Sequence, residues 1–168
     1  MTCKRTKEYK MSDKKSKPKY KLGMVVAVPL PDGRFAFGKV FKDTDLGVYD
    51  FVSKKMESLK AVTAHKIAFF QPVTDEPIKS GEWPILGEEP FPDEESSWGP
   101  PKVVGVFPEM EVDPSRLKIS HKGTYRQATP KEAAGKDIEL FCQRAELCVD
   151  IIVDRLINGN NDKYRVKI

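Results

Sequence analysis

The sequence predicts an α+β fold: a strongly bent antiparallel β-sheet of about six or seven strands, a partial barrel, packed against one long C-terminal α-helix. Three observations lead there. Short β-rich runs follow one another with turn residues between them. The apolar period switches to helical spacing after Thr129. A chain of 168 residues, 39% hydrophobic and 32% charged, suits one soluble core.

The first element pair is "LGMVVAVPLPDGRFAFGKVFKD", two β-rich runs around Asp32-Gly33. That dipeptide readily supplies the positive φ values of a tight turn, so a hairpin is expected. With a two-residue loop, Leu30 faces Phe35 and Val28 faces Phe37, which puts all four on one apolar face. Pro29 and Pro31 lack a backbone N–H and mark an edge or a bend, and Gly38 marks a bulge or close approach. "LGVYDFVS" (Leu46 to Ser53) and "HKIAFFQPV" (His65 to Val73) continue as strands of a meander.

Residues 81–101, "GEWPILGEEPFPDEESSWGPP", hold six acids, five prolines and both tryptophans, without Lys or Arg. Proline at that density opposes regular pairing, so most of the segment reads as a long acidic surface loop, with a short strand at Trp83 to Leu86. Beyond it, "KVVGVF" (Lys102 to Phe107), "RLKIS" (Arg116 to Ser120) and "GTYRQAT" (Gly123 to Thr129) read as further strands. The last two are joined through His121-Lys122.

Thr129-Pro130-Lys131-Glu132 is a helix start: a capping Thr, Pro at the first helical position, and Glu three residues after the cap. Ile138, Phe141, Cys142, Ala145, Val149, Ile152 and Leu156 recur at helical spacing, with Glu139, Gln143, Glu146, Asp150 and Asp154 on the other side. Asn158-Gly159 supplies the stop, so one helix is expected over 130–158. Gly135 reads as a break after its first turn. The closing "KYRVKI" alternates like a strand but fits a tail equally.

The charge is uneven. Residues 1–21 carry nine Lys or Arg against two acids, whereas residues 22–168 carry 20 against 23. The basic character therefore belongs to the N-terminal segment; residues 1–19 are expected to be a disordered basic tail, with residues 20–168 forming one domain. The tail has no apolar run, so a secretory signal is not expected there, and no stretch approaches the ~20 apolar residues of a membrane span. Three cysteines without framework spacing fit a reduced, cytoplasmic setting.

Enzyme signatures are thin. His65 and His121 are isolated, and Ser120 beside His121 would point the other way in a strand. Neither a metal-ligand spacing nor a phosphate-cradling glycine loop occurs, so no cofactor and no metal are expected. Glu88, Glu89, Asp93, Glu94 and Glu95 lie among prolines, where solvation outweighs the burial that acid–base work needs. Their alternative role is electrostatic: charge to steer a basic partner, with Trp83, Phe91 and Trp98 interleaved as aromatic anchors. A rival reading is a small nucleic-acid-binding module that uses the basic tail. It is weakened by the lack of Lys and Arg grouped with exposed aromatics in the folded part.

Taken in order, "LGMVVAVPLPDGRFAFGKV", "GVYDF", "HKIAFFQPV" and "EWPILGEEP" resemble the immunity protein 26 family of bacterial polymorphic toxin systems. The resemblance covers Tyr20 to about Pro92 and leaves out the basic tail and Asp93 to Glu95. The family commonly opens its first strand with Gly-Asp; this chain has Gly23-Met24. The resemblance implies a cytoplasmic inhibitor that binds a cognate toxin domain and contributes no catalytic residue. If that toxin is a nuclease with a basic groove, Glu88, Glu89, Asp93, Glu94 and Glu95 are the expected phosphate mimics, with Trp98 as an anchor.

Overall fold

The computed structural model describes residues 19–135, 138–141 and 148–167. Among the described residues nine strands form two sheets, not one bent sheet. The first is antiparallel and five-stranded, in the order β4 (Ile67–Pro72), β3 (Asp45–Ser53), β2 (Phe35–Val40), β1 (Met24–Pro29), β5 (Ile85–Glu88). The second has four strands in the order β8 (Thr124–Gln127), β7 (Lys118–His121), β6 (Lys102–Val104), β9 (Glu139–Leu140), with β9 parallel to β6. Neither sheet closes into a barrel.

The opening hairpin forms, but its register is one residue from the expected one. Leu30 N–H donates to Arg34 and Gly33 N–H to Leu30, so the loop is the three residues Pro31-Asp32-Gly33, with Gly33 at φ +85°. Pro31 presets the first turn position and the glycine closes a bulged three-residue loop. Phe37 consequently pairs with Ala27 and Ala36 with Val28. A slip of one residue exchanges faces. Val28 and Leu30 enter the first core, whereas Phe37 joins Val25, Ala27 and Tyr49, with Phe35 against them, on the other face under Val62 of helix α1 (Leu59–Thr63). The bulge expected near Gly38 is present, between Ala36 and Gly38.

The second hairpin is also displaced by one. Lys122 and Gly123 both have positive φ, 51° and 74°, and His121 pairs with Thr124, so the turn is Lys122-Gly123. The short strand expected from Trp83 lies at Ile85–Glu88 instead, and Trp83 is buried in the first core.

The long C-terminal helix is not formed. Its start is as expected: Thr129 accepts from Glu132 N–H, Glu132 accepts from Thr129 N–H, and α3 (Pro130–Ala133) begins with the proline. It ends after one turn. Beyond Gly135 the chain supplies β9, whose Glu139 and Leu140 pair with Lys102 and Val103, and Phe141 N–H donates to Val103. Completing the open side of β6 outweighs a helical spacing that a two-residue strand does not contradict. Helix resumes as α4 (Cys148–Ile152) and continues as a π-helical stretch, Val153–Ile157. Cys142, Gln143, Ala145 and Glu146 lie outside the described residues. The closing segment makes a 3-10 turn at Asp162–Tyr164, not a strand.

Helix α4 packs between the two sheets. Cys148 and Ile152 enter the first core, beside Val26, Val28 and Phe69, while Ile151 enters the second with Val103, Ile119 and Leu140. Full burial of an aliphatic side chain of this size contributes about 1.5–3 kcal/mol. Arg155 adds a polar tie: it gives two hydrogen bonds to Glu139 of β9, at 2.8 and 2.7 Å, and its guanidinium lies 4.0 Å from the Phe69 ring centre of β4.

Candidate functional site

The chain from Glu88 to Lys102 passes from the last strand of the first sheet to the first strand of the second. It is a strap, pinned along its length. At its start, Glu89 N–H donates to Gly23 at 2.9 Å, and a side chain on Gly23 would come within 2.8 Å of the Glu89 carbonyl. Only glycine, here at φ +82°, allows that approach. Phe91 turns inward and meets Phe41 edge-on at 4.9 Å. A 3-10 turn at Glu95–Ser97 follows, in which Asp93 accepts from Ser96 N–H at 2.7 Å.

Every glutamate of the acidic set has its own lysine. Glu88 pairs with Lys21 at 3.1 Å, Glu89 with Lys39 at 3.3 Å, Glu94 with Lys42 at 2.8 Å, and Glu95 with Lys122. Except at Lys21, the lysine of each pair is the more buried partner. Lys42 and Lys122 are 24% and 33% exposed, whereas Glu94 and Glu95 are 81% and 76% exposed, so the carboxylates form the outer layer over a basic floor. The Lys42 hydrogen bond holds the Glu94 carboxyl below its usual range. Trp98 is half-buried, with the Lys42 ammonium 4.9 Å from its ring centre.

Lys42 is placed by an unusual backbone. Asp43 and Thr44 have φ of 60° and 56°, a region that a β-branched residue seldom enters. Thr44 is held there by two hydrogen bonds: its hydroxyl donates to the Asp43 carbonyl, and Val73 N–H donates to its own carbonyl. At the far end of the strap, Lys102 donates to Asp45 in a pair buried between the sheets. Burial raises the Asp45 carboxyl and lowers the Lys102 amine, each against the attraction of its partner. Gly99 lets the strap pass over that pair, since a side chain there would lie 2.4 Å from Asp45 Oδ2.

The strap thus brings Glu94, Glu95 and Trp98 together, with Glu88 and Glu89 at its other end. Trp83 is absent from this surface because it fills the first core. Tyr125 was not singled out in the sequence, yet it is 65% exposed. Its register partner is Ser120, which in turn pairs with Lys102, so the three lie in one row on one sheet face. The only signal was a lone aromatic in a short polar run.

Of the remaining chemistry-bearing groups, His121 lines a small pocket with Lys42, Trp98 and Lys102, and the others sit elsewhere. His65 stacks on Phe51 at 4.1 Å, and the Cys148 thiol is pushed up to about 12 by burial. Among the described residues there is no group of three His, Cys, Asp or Glu that could hold a metal. No helix of the described residues is long and apolar enough to cross a membrane.

The segment that carries the strap also carries the family match. Residues 21–103 match the immunity protein 26 family. The match is just under half of the chain, and it takes in all five strands of the first sheet, the strap and Lys102. It runs past Pro92, so Asp93, Glu94 and Glu95 fall inside the immunity protein 26 segment. Most of the second sheet, β8 included, lies beyond it. Met24, which follows Gly23 at the start of β1, is buried in the first core. No curated protein and no solved structure matches the chain.

Proposed function

We propose that this chain is a cytoplasmic immunity protein that binds a cognate bacterial toxin domain one to one and neutralises it by occlusion, without catalysis. The strap is its contact surface. The observation that supports this most is the layering of charge: Glu94 and Glu95 stand almost fully exposed above lysines that hold them in place. A carboxylate fixed in this way presents charge to a basic groove with less side-chain ordering left to lose on binding. Asp93 adds a third carboxylate, Glu88 and Glu89 extend the row, and Trp98 offers a half-buried ring as an anchor. A nuclease whose groove binds phosphates is the partner chemistry that suits it. Because Lys39, Lys42 and Lys122 lie behind the acids and Lys21 stands beside Glu88, the attraction acts at short range and steers from a distance only weakly.

The test is charge reversal at Asp93, Glu94 and Glu95 together, with association to the toxin encoded by the neighbouring gene measured at low and high salt. Exposed ion pairs contribute about 0–1 kcal/mol each, so the fold should survive. Slower association, a flatter salt dependence and lost protection of toxin-expressing cells are expected. An unchanged on-rate with full protection removes the strap from the mechanism.

A further inference from the structure

The second sheet ends at β8, whose four residues are all exposed. Its hydrogen-bonding parity follows from the hairpin. His121 and Thr124 flank a two-residue turn and form the first hydrogen-bonded pair, so Thr124 and Arg126 direct their backbone groups towards β7. Ala128 N–H, donating to Leu117 at 2.9 Å, keeps the same parity. Tyr125 and Gln127 therefore point N–H and C=O outward from this end strand, where the Gln127 carbonyl accepts a long hydrogen bond of 3.5 Å from Arg126 Nη1. An open edge of this kind is a template for another strand.

The geometry points to the outward edge of β8 as a strand-addition site for an extended segment of the toxin, with an acidic side chain seated opposite Arg126. This rests on the toxin-binding role proposed above. Two observations select this occupant. The β7–β8 turn is joined to the strap through Lys122 and Glu95, so a partner covering the strap reaches the β8 edge without a break. A second copy fits poorly. The antiparallel register that uses both outward pairs places Arg126 opposite Arg126 of the other copy, and like charges directly opposite are destabilising. The register centred on Tyr125 runs into Gly123, a turn residue at φ +74° that cannot extend the ladder. An acidic residue on the incoming strand would instead share Arg126 with Glu132, which lies 3.3 Å away.

The experiment is amide hydrogen exchange of the full chain, alone and with a catalytically inactive form of the neighbouring gene's toxin domain. In the complex, the Tyr125 and Gln127 amides are expected to slow by about tenfold or more. Gln127→Pro, which removes an outward N–H without touching the β7 ladder, is expected to weaken binding about fivefold. A complex that forms without slowing at these amides overturns the inference and leaves toxin binding standing. Failure of the unaltered chain to bind overturns both. Slowing that depends on protein concentration in the absence of toxin assigns the edge to a second copy and overturns the inference.

Discussion

Lys102 of β6 donates to Asp45 at the start of β3, and both side chains are buried, so one ion pair bolts the second sheet to the first. The bolt closes the strap: Gly99 passes directly over Asp45, and Lys42 and Asp43 adjoin it in sequence. Removing one member leaves a charge stranded in a poorly solvated site, at a cost of about 3–5 kcal/mol. Lys102→Met is therefore expected to lower the urea midpoint strongly. The double variant Asp45→Leu with Lys102→Met, which leaves no charge unpaired, is expected to lie well above either single variant. A double variant as unstable as the sum of the singles would show that packing, not charge, carries the junction.

Arg155 makes a second tie close by, through Glu139, the register partner of Lys102. Its fork engages both Glu139 oxygens while Nε donates to Asn161, and its plane is covered by Phe69 and Tyr164. Lysine keeps the charge but cannot reproduce the two-point geometry or the stacking. Arg155→Lys is expected to lose about 2 kcal/mol, and Arg155→Met about 3–5 kcal/mol, because Glu139 then loses both close hydrogen bonds and keeps Arg165 at 4.0 Å. Thermal unfolding gives the order; equal losses would mean that the fork geometry is irrelevant.

These two ties explain which parts of the molecule were legible in the sequence. Local signals held up: the Asp32-Gly33 turn, the bulge before Gly38 and the capping box at Thr129 each depend on a few adjacent residues. What failed was register and partner choice. Pro31 turned a two-residue loop into a three-residue one, and that single step moved Phe37 to the other face. Glu139 sits at helical spacing from its neighbours, yet β6 recruits it as a strand residue and Arg155 receives its carboxylate. The acidic segment was visible as composition, but its lysine floor was not. Lys39 and Lys42 are close in the chain, but Lys21 and Lys122 come from well before and far after them, and nothing in their spacing announces that they converge. Tyr125 became visible only once the rows of the second sheet were known.

Asp154 supplies a pH dependence whose sign is fixed by its surroundings. Desolvation alone would raise its carboxyl, but Lys163 at 2.8 Å, Tyr164 at 2.6 Å and Asn160 at 2.7 Å all donate to it and bring it down to about 2. An unfolded aspartate titrates near 3.9, about two units higher. The folded state therefore binds the proton less well, so the stabilisation is fully present above roughly pH 5 and is lost as the pH falls towards 2. Asp154→Asn removes the charge at every pH. The difference in unfolding free energy between wild type and Asp154→Asn is thus expected to be constant from about pH 5 to pH 8 and to shrink below about pH 4. Urea titrations across that range provide the check. A difference that persists unchanged down to pH 2 would show that the Asp154 contacts act through shape and not through charge.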